Sequence, residues 1–120
     1  MSAAVEALDA REWVPVCGTD AIRPGRGVCA LVAGRAVAVF LVGGELFAID
    51  DLDPCSGASV LSRGLVGSTD VDGDEVVYVA SPLKKQRFDL RTGRCLDVPG
   101  TSVEVHAVSA VDDTILVAIV

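Results

Sequence analysis

Aromatic side chains are scarce in this chain: only 4% of its residues are Phe, Trp or Tyr, although 51% are hydrophobic. The core must therefore be built mainly from Val, Ala, Leu and Ile. Valine recurs in short runs, and β-branched residues favour strands because they pack well on a pleated sheet. The composition thus predicts a β-rich domain, and 120 residues are enough to bury a core without disulfides or metal.

Positive charge and long apolar runs are also lacking. The formal net charge of −7 argues against general affinity for nucleic acid, because such affinity needs clustered cations. The longest apolar run, 36–42, is too short to span a membrane. No basic segment followed by an apolar one indicates a secretory signal. We therefore expect a protein of the cytoplasm.

Cysteine and histidine patterns typical of metal sites are missing as well. The four cysteines are widely spaced without a Cys-x-x-Cys pair, which in a cytoplasmic protein indicates free thiols. Cys17 and Cys29 lie in apolar segments and are expected to be buried. His106, the only histidine, has no visible partner for a metal site or a catalytic triad, so we expect it at the surface or on an edge strand.

Short apolar segments alternate with glycine and aspartate turns, and none has helical periodicity beyond the first ten residues. This pattern is typical of a small antiparallel all-β sandwich or barrel. We expect residues 1–10 to form a flexible tail and residues 11–120 to form a single domain. The predicted strands are 12–17, 28–32, 36–42, 45–50, 76–80, 87–90, 94–96, 103–108 and 115–120.

Residues 68–75 are mostly polar and are predicted to form a turn. Within them, 70–75 resemble part of a calcium-binding loop, with carboxylates at alternate positions. A complete loop also needs a bidentate carboxylate at its twelfth position, which here is Ser81. We therefore interpret the segment as a solvated hairpin tip.

Two loops that contain proline stand out in the rest of the chain. The first, 53–58, reads Asp-Pro-Cys-Ser-Gly-Ala; the second, 81–89, reads Ser-Pro-Leu-Lys-Lys-Gln-Arg-Phe-Asp and precedes a Thr-Gly turn. This layout resembles the Rieske iron–sulfur domain, whose loops read Cys-Pro-His-x-Gly-Ala and Cys-Pro-x-His-x-x-x-Phe-Asp. The resemblance extends from Trp13 to about Val120 and implies an all-β Rieske-like fold with both loops at one tip.

The ligand positions of a Rieske site are replaced in this chain. Such a site holds a [2Fe–2S] cluster with two cysteines and two histidines. The corresponding residues here are Asp53, Cys55, Ser81 and Lys84. Aspartate and serine oxygens are poorly matched to an iron–sulfide core, and a protonated lysine repels the metal. We therefore predict no metal and no cofactor on this chain, with the loops held by turn hydrogen bonds and by packing of Pro54, Cys55, Pro82 and Leu83.

Three stretches carry a closer resemblance: Asp-Pro-x-Ser-Gly-Ala at 53–58, Leu-Ser-Arg-Gly-Leu-Val-Gly at 61–67 and Ser-Pro-Leu-x-Lys-Gln-Arg-Phe at 81–88. They are similar to the small-subunit family of assimilatory NAD(P)H-dependent nitrite reductase. The resemblance implies a non-catalytic subunit of that oxidoreductase, which reduces nitrite to ammonium in nitrate assimilation. It also implies a large-subunit partner, which in this family carries sirohaem, a [4Fe–4S] cluster and FAD.

Two other functions stay open from the sequence. The same fold serves as the ferredoxin component of dioxygenases, although the replaced ligand positions argue against that function. The chain could also be a stand-alone binding or redox-sensor module. In that module, Lys84 on one loop would lower the pKa of Cys55 on the other.

Positive charge is concentrated near the loops of this acidic chain, since six of the ten Lys and Arg residues lie between Arg63 and Arg94. Clustered charge of one sign steers association with a partner of opposite sign. We therefore predict a docking surface for an acidic partner. Its candidate residues are Arg63, Lys84, Lys85, Arg87 and Arg91.

Overall fold

The computed structural model describes residues 11–119, which fold into strands joined by turns and two short 3-10 helices, Thr19–Ala21 and Leu61–Arg63. The strands are β1 Val14–Gly18, β2 Gly27–Val32, β3 Arg35–Val42, β4 Glu45–Asp50, β5 Leu52–Asp53, β6 Ala58–Ser59, β7 Leu65–Val71, β8 Asp74–Ala80, β9 Arg87–Asp89, β10 Val105–Val111 and β11 Thr114–Ala118. The predicted all-β class is confirmed. No helix in this part of the chain is long and apolar enough to cross a membrane. The tail predicted for residues 1–10 lies outside the described residues.

The named strands pair antiparallel and form two main sheets. The six-stranded sheet has the order β1-β11-β10-β4-β3-β2, and the three-stranded sheet has the order β7-β8-β9. Strands β5 and β6 pair separately across the first loop. The predicted hairpin between β3 and β4 turns at Gly43 and Gly44, whose φ angles of 58° and 80° favour glycine.

Two hydrophobic clusters form the core. All three phenylalanines of the chain lie in the first cluster, which joins β3 and β4 to β8 and β9 across the two sheets. The second cluster is aliphatic and lies mainly on the six-stranded sheet. In β4, Phe47 and Ile49 belong to the first cluster and Ala48 to the second, so this strand is buried on both faces. Because β8 leads directly into the second loop, the first cluster anchors that loop to the fold.

The turn predicted over 68–75 is too long, because only Asp72 and Gly73 form the turn between β7 and β8. The interpretation of 70–75 as a solvated hairpin tip is confirmed, since all six residues are exposed. The two strands stay paired on either side, up to Val71 opposite Asp74. This end of the hairpin extends beyond the core, so both of its faces meet water and its side chains need not be apolar. The strand predicted at 94–96 is reduced to isolated bridges.

Two single-residue expectations are also wrong. His106 is buried, because β10 lies inside the sheet between β11 and β4; its Nε2 lies 2.8 Å from Asp50 Oδ1. Cys29 is exposed, because β2 is an edge strand that directs alternate residues away from the second cluster. Cys17 is half-buried.

Candidate functional site

The two loops are joined by a buried hydrogen bond between Asp53 and Ser81. Asp53 ends β5 and Ser81 directly follows β8, so each side chain lies where a strand leads into its loop. Ser81 Oγ donates to Asp53 Oδ2 at 2.6 Å. Both residues are at most 1% exposed. This contact fixes the position of one loop relative to the other.

Asp53 also closes its own loop. Its Oδ1 accepts from the Cys55 N–H at 2.9 Å, and its Oδ2 accepts from Ser56 Oγ at 3.0 Å. Its backbone carbonyl accepts from the Gly57 N–H at 2.7 Å. Burial on its own raises the pKa of Asp53, but the hydrogen bonds from Ser81, Cys55 and Ser56 outweigh it and hold that pKa below its ordinary value.

The second loop closes on Ser81 in a similar way. The Ser81 carbonyl accepts from the Lys85 N–H at 2.9 Å, and the Ser81 N–H donates to the Gln86 carbonyl at 2.9 Å. The Leu83 N–H donates to Ser81 Oγ at 3.3 Å. Lys85 has a φ of 62°, a left-handed conformation that costs a residue with a Cβ about 1 kcal/mol. Asp53 and Ser81 are therefore the hydrogen-bonding centres of their loops.

Apolar packing contributes less to the loops than the sequence predicts. Pro54, Pro82 and Leu83 are exposed, so that expectation is wrong for them. Cys55 does pack against the first core cluster. The prolines can lie on the outer surface because the hydrogen bond between the loops is already buried without their packing on it.

The thiol of Cys55 does not have the lowered pKa that a redox sensor needs. Burial, followed by the negative charge of Asp53 and the neighbouring Cys95, raises the pKa of Cys55. Lys84 acts in the opposite direction but is outweighed. Lys84 therefore lowers the pKa of Cys55 as expected, but the predicted net lowering is wrong, and little thiolate is present at neutral pH.

Two of the five predicted docking residues form ion pairs within the chain. Arg87 binds the Asp97 carboxylate with N–O distances of 3.1 and 2.8 Å, and Arg91 binds Glu45 with distances of 2.7 and 2.9 Å. Each guanidinium also lies over an aromatic ring. The Arg91 pair joins residues 46 positions apart, and the Arg87 pair joins residues 10 positions apart.

The other three docking candidates make no ion pair in the described part of the chain. Arg63, Lys84 and Lys85 are exposed, and none of them makes an ion pair within residues 11–119. The two lysines lie side by side in the second loop, whereas Arg63 ends the 3-10 helix Leu61–Arg63. The structure thus divides the predicted set into paired and unpaired cations.

Comparison with known proteins places this geometry in a family. The model of the Rieske-like [2Fe-2S] domain matches residues 12–118. The nitrite reductase (NADH) small subunit of Salmonella typhimurium is 45% identical over 95 residues, which cover 78% of this chain and 84% of that protein. This chain belongs to the Rieske-like family. The crystal structure of a putative NADH-dependent nitrite reductase small subunit from Mycobacterium tuberculosis is 42% identical, with a TM-score of 0.83 and coverage of 93% of this chain and 98% of that one.

A longer relative is similar to this chain over a small part of its length. The nitrite reductase [NAD(P)H] large subunit of Klebsiella oxytoca is 45% identical over 91 residues, which are 76% of this chain but only 9% of that protein. Dioxygenase ferredoxins are less similar; the ferredoxin component of the p-cumate 2,3-dioxygenase system of Pseudomonas putida is 33% identical over 100 residues. The nitrite reductase relatives therefore resemble this member of the family more than the ferredoxins do.

The loops of this Rieske-like domain do not fit a [2Fe–2S] cluster. The 2.6 Å between Ser81 Oγ and Asp53 Oδ2 is a hydrogen-bond distance and leaves no position for an iron bound by both oxygens. Of the four predicted ligand positions, only Cys55 offers a soft donor. Asp53 and Ser81 offer oxygens, and Lys84 is an exposed cation. Among the described residues, no group of three or more His, Cys, Asp or Glu side chains could hold a metal.

Sequence reasoning missed two residues that shape the Rieske-like tip. Asp51 is buried and accepts from the Ser62 N–H at 2.7 Å, which fixes the 3-10 helix between the loops. A Cβ on Gly64 would overlap the carbonyl oxygen of Ala80, so the chain passes there only because the residue is glycine. The available signals were an aspartate directly after an apolar strand and the glycine of the Leu-Ser-Arg-Gly stretch.

Proposed function

We propose that this chain is the small, non-catalytic subunit of NAD(P)H-dependent nitrite reductase in the cytoplasm. Its partner is the large subunit, which carries the sirohaem, the [4Fe–4S] cluster and the FAD and reduces nitrite to ammonium. The observation that carries the proposal is the 45% identity to a nitrite reductase small subunit across 84% of that protein.

The match to a large subunit supports the choice of partner. In the Klebsiella oxytoca protein, a domain related to this chain is part of the large polypeptide and therefore stays with it. Covalent linkage gives such a domain a high effective concentration at its binding site. A chain that supplies the domain separately needs a surface with affinity of its own.

The chemistry of the loops supports a non-catalytic role. Asp53 and Ser81 bind each other, and the raised pKa of Cys55 disfavours the reactive thiolate. The ferredoxin alternative needs thiolate and imidazole ligands at positions that hold other residues. The sensor alternative needs a thiol of low pKa, which Cys55 does not provide.

We extend the proposal to the domain boundaries and the docking surface. Residues 11–120 form one domain, because the first core cluster is shared by both sheets and its three phenylalanines would be exposed if the sheets separated. The unpaired cations Arg63, Lys84 and Lys85 contribute to docking. Arg87 and Arg91 serve the fold of this chain through their ion pairs.

Isolation of a tagged form of the chain from its native cells tests the proposed function. We expect the large subunit to co-elute, together with sirohaem absorption and NADH- or NADPH-dependent nitrite reduction. The chain purified alone should have no such activity. Co-elution with a dioxygenase component, or with no partner, would contradict the proposal.

A further inference from the structure

A cleft whose lining includes no residue of the second loop combines arginines with an exposed leucine. It has a volume of about 370 Å³ and lies where the edge strands β2 and β7 begin. The segment 25–27 lines one side and the segment 62–65 lines the other. The fold thus brings together two stretches that are distant in sequence.

Close backbone contacts fix the shape of this cleft. A Cβ on Gly27 would overlap the carbonyl oxygen of Ser62, and a Cβ on Gly64 would overlap that of Ala80. The Ser62 N–H is also bound to the buried Asp51 carboxylate at 2.7 Å. A site that is already ordered loses little conformational entropy when a partner binds.

The arginines of the cleft have no carboxylate partner among residues 11–119. Arg26 and Arg63 are exposed, and neither makes an ion pair in the part of the chain that the structure describes. Arg35, Arg87 and Arg91 each bind an Asp or Glu carboxylate. Acidic residues outnumber basic ones by 17 to 10, so two unpaired arginines in one cleft indicate complementarity to an external anion.

The apolar part of the cleft is Leu65, which is 80% exposed. Arginine binds carboxylates through a planar fork of donors and is enriched among the residues that dominate interface energetics. Two such groups beside an apolar side chain suit a peptide segment that carries both carboxylates and an apolar residue. They suit a small inorganic anion less well, because such an anion has no apolar group that could pack against Leu65.

We infer that this cleft binds an acidic segment of the nitrite reductase large subunit. Carboxylates of that segment contact Arg26 and Arg63, and an apolar side chain packs on Leu65. The inference rests on the proposed function and adds to it a second contact region outside the second loop. Charge clustering along the sequence did not point to Arg26, which lies well before the basic stretch 63–94.

Affinity for the purified large subunit, measured for the wild type and three double variants, tests the inference. Arg26→Glu with Arg63→Glu reverses both cleft charges, and Arg26→Gln with Arg63→Gln removes them. Arg23→Glu with Arg94→Glu is the matched control, because both side chains are exposed, lie outside the cleft and give the same change in net charge. All variants should keep the wild-type melting temperature, since the replaced side chains are exposed and form no ion pair among residues 11–119.

We expect the cleft reversal to weaken binding about tenfold at low salt, the neutral variant to weaken it less, and the control to stay within about twofold of wild type. The differences should shrink as salt screens the charges. Equal affinities for the cleft reversal and the control would overturn the inference and leave the proposed function standing. A wild type that does not bind overturns both. If the charge-reversal variant has a lowered melting temperature, the neutral variant decides instead. An affinity of the neutral variant equal to that of wild type then overturns the inference.

Discussion

Ser81 Oγ donates a 2.6 Å hydrogen bond to Asp53 Oδ2, and the resemblance to the Rieske loops predicts that these two residues replace the two cysteine ligands. In a Rieske domain the cluster links the two loops. In this chain a carboxylate and a hydroxyl form the link, and each also organises its own loop. The fold is therefore stabilised at its tip by side chains that require no metal.

Breaking this bond should destabilise the chain. Ser81→Ala should lower the free energy of unfolding by about 2 kcal/mol, because a buried hydrogen bond to a carboxylate is lost. Asp53→Ala should cost more, since Ser56 and the Cys55 N–H lose their acceptor as well. Urea denaturation of both single variants and the double variant gives their coupling, which we expect to exceed about 1 kcal/mol. Additive effects of the two substitutions would contradict the link. The control is Ser68→Ala, at an exposed position, which should change stability by under about 0.5 kcal/mol.

The lowered pKa of Asp53 makes this contribution depend on pH. An unfolded chain takes up the proton at a higher pH than the folded one, so the stabilisation is full above the unfolded pKa and is lost as pH falls through the folded pKa. The stabilisation by Asp53 is therefore lost below about pH 4. Asp53→Asn should therefore be less stable than wild type at pH 7, with a gap that narrows in acid. Urea midpoints between neutral and strongly acidic pH measure it, and a gap that is constant with pH would contradict the assignment.

Gly64→Ala should destabilise the chain by about 1 to 3 kcal/mol, because the new Cβ overlaps the Ala80 carbonyl and the backbone must move. Gly67→Ala is the matched control. Its Cβ would meet the Tyr78 ring, a half-buried side chain that can move. Thermal melts compare the two, and a larger loss for Gly67→Ala would contradict this role of Gly64.

A chelator should leave the melting temperature of the purified chain unchanged. The loops are joined by protein atoms, and a metal would have to displace the bond between Asp53 and Ser81. The same preparation should contain no stoichiometric iron. A fall in the midpoint with chelator, or a Rieske-type electron paramagnetic resonance signal, would contradict this prediction.

Reversing Lys84 and Lys85 to Glu should weaken association with the large subunit, most strongly at low salt, because rim charges mainly set the encounter rate. The fold should change little, since both side chains are exposed. Asp112→Asn with Asp113→Asn is the control on the β10–β11 turn, where asparagine tolerates the φ angles of 52° and 63°. If the control loses affinity and the lysine variant does not, the docking surface is elsewhere.

Local patterns predicted the strands well. The resemblance of the proline loops to a known family implied the Rieske-like tip, whereas Gly43-Gly44 predicted a turn and the valine runs predicted strands. Each of these features depends on neighbours in sequence, so the sequence carries its signal directly. The prediction of a turn over all of 68–75 was wrong because backbone pairing extends β7 and β8 past the point where their side chains are apolar.

Side-chain partners that are distant in sequence could not be predicted in this way. Asp53 and Ser81 are 28 positions apart, and either residue alone is typical of an exposed turn. His106 is buried inside the sheet, where its Nε2 lies within hydrogen-bond distance of Asp50 on a neighbouring strand. Strand order decides such contacts, and no local pattern specifies it.

Sedimentation of the purified chain mixed with the purified nitrite reductase large subunit tests the central claim most directly. The account predicts that the chain leaves its own boundary and moves with the large subunit as one faster species. The mixture should lose this species when salt is raised, if the unpaired cations contribute to docking. A chain that sediments alone at every ratio and at low salt would contradict its role as the small subunit.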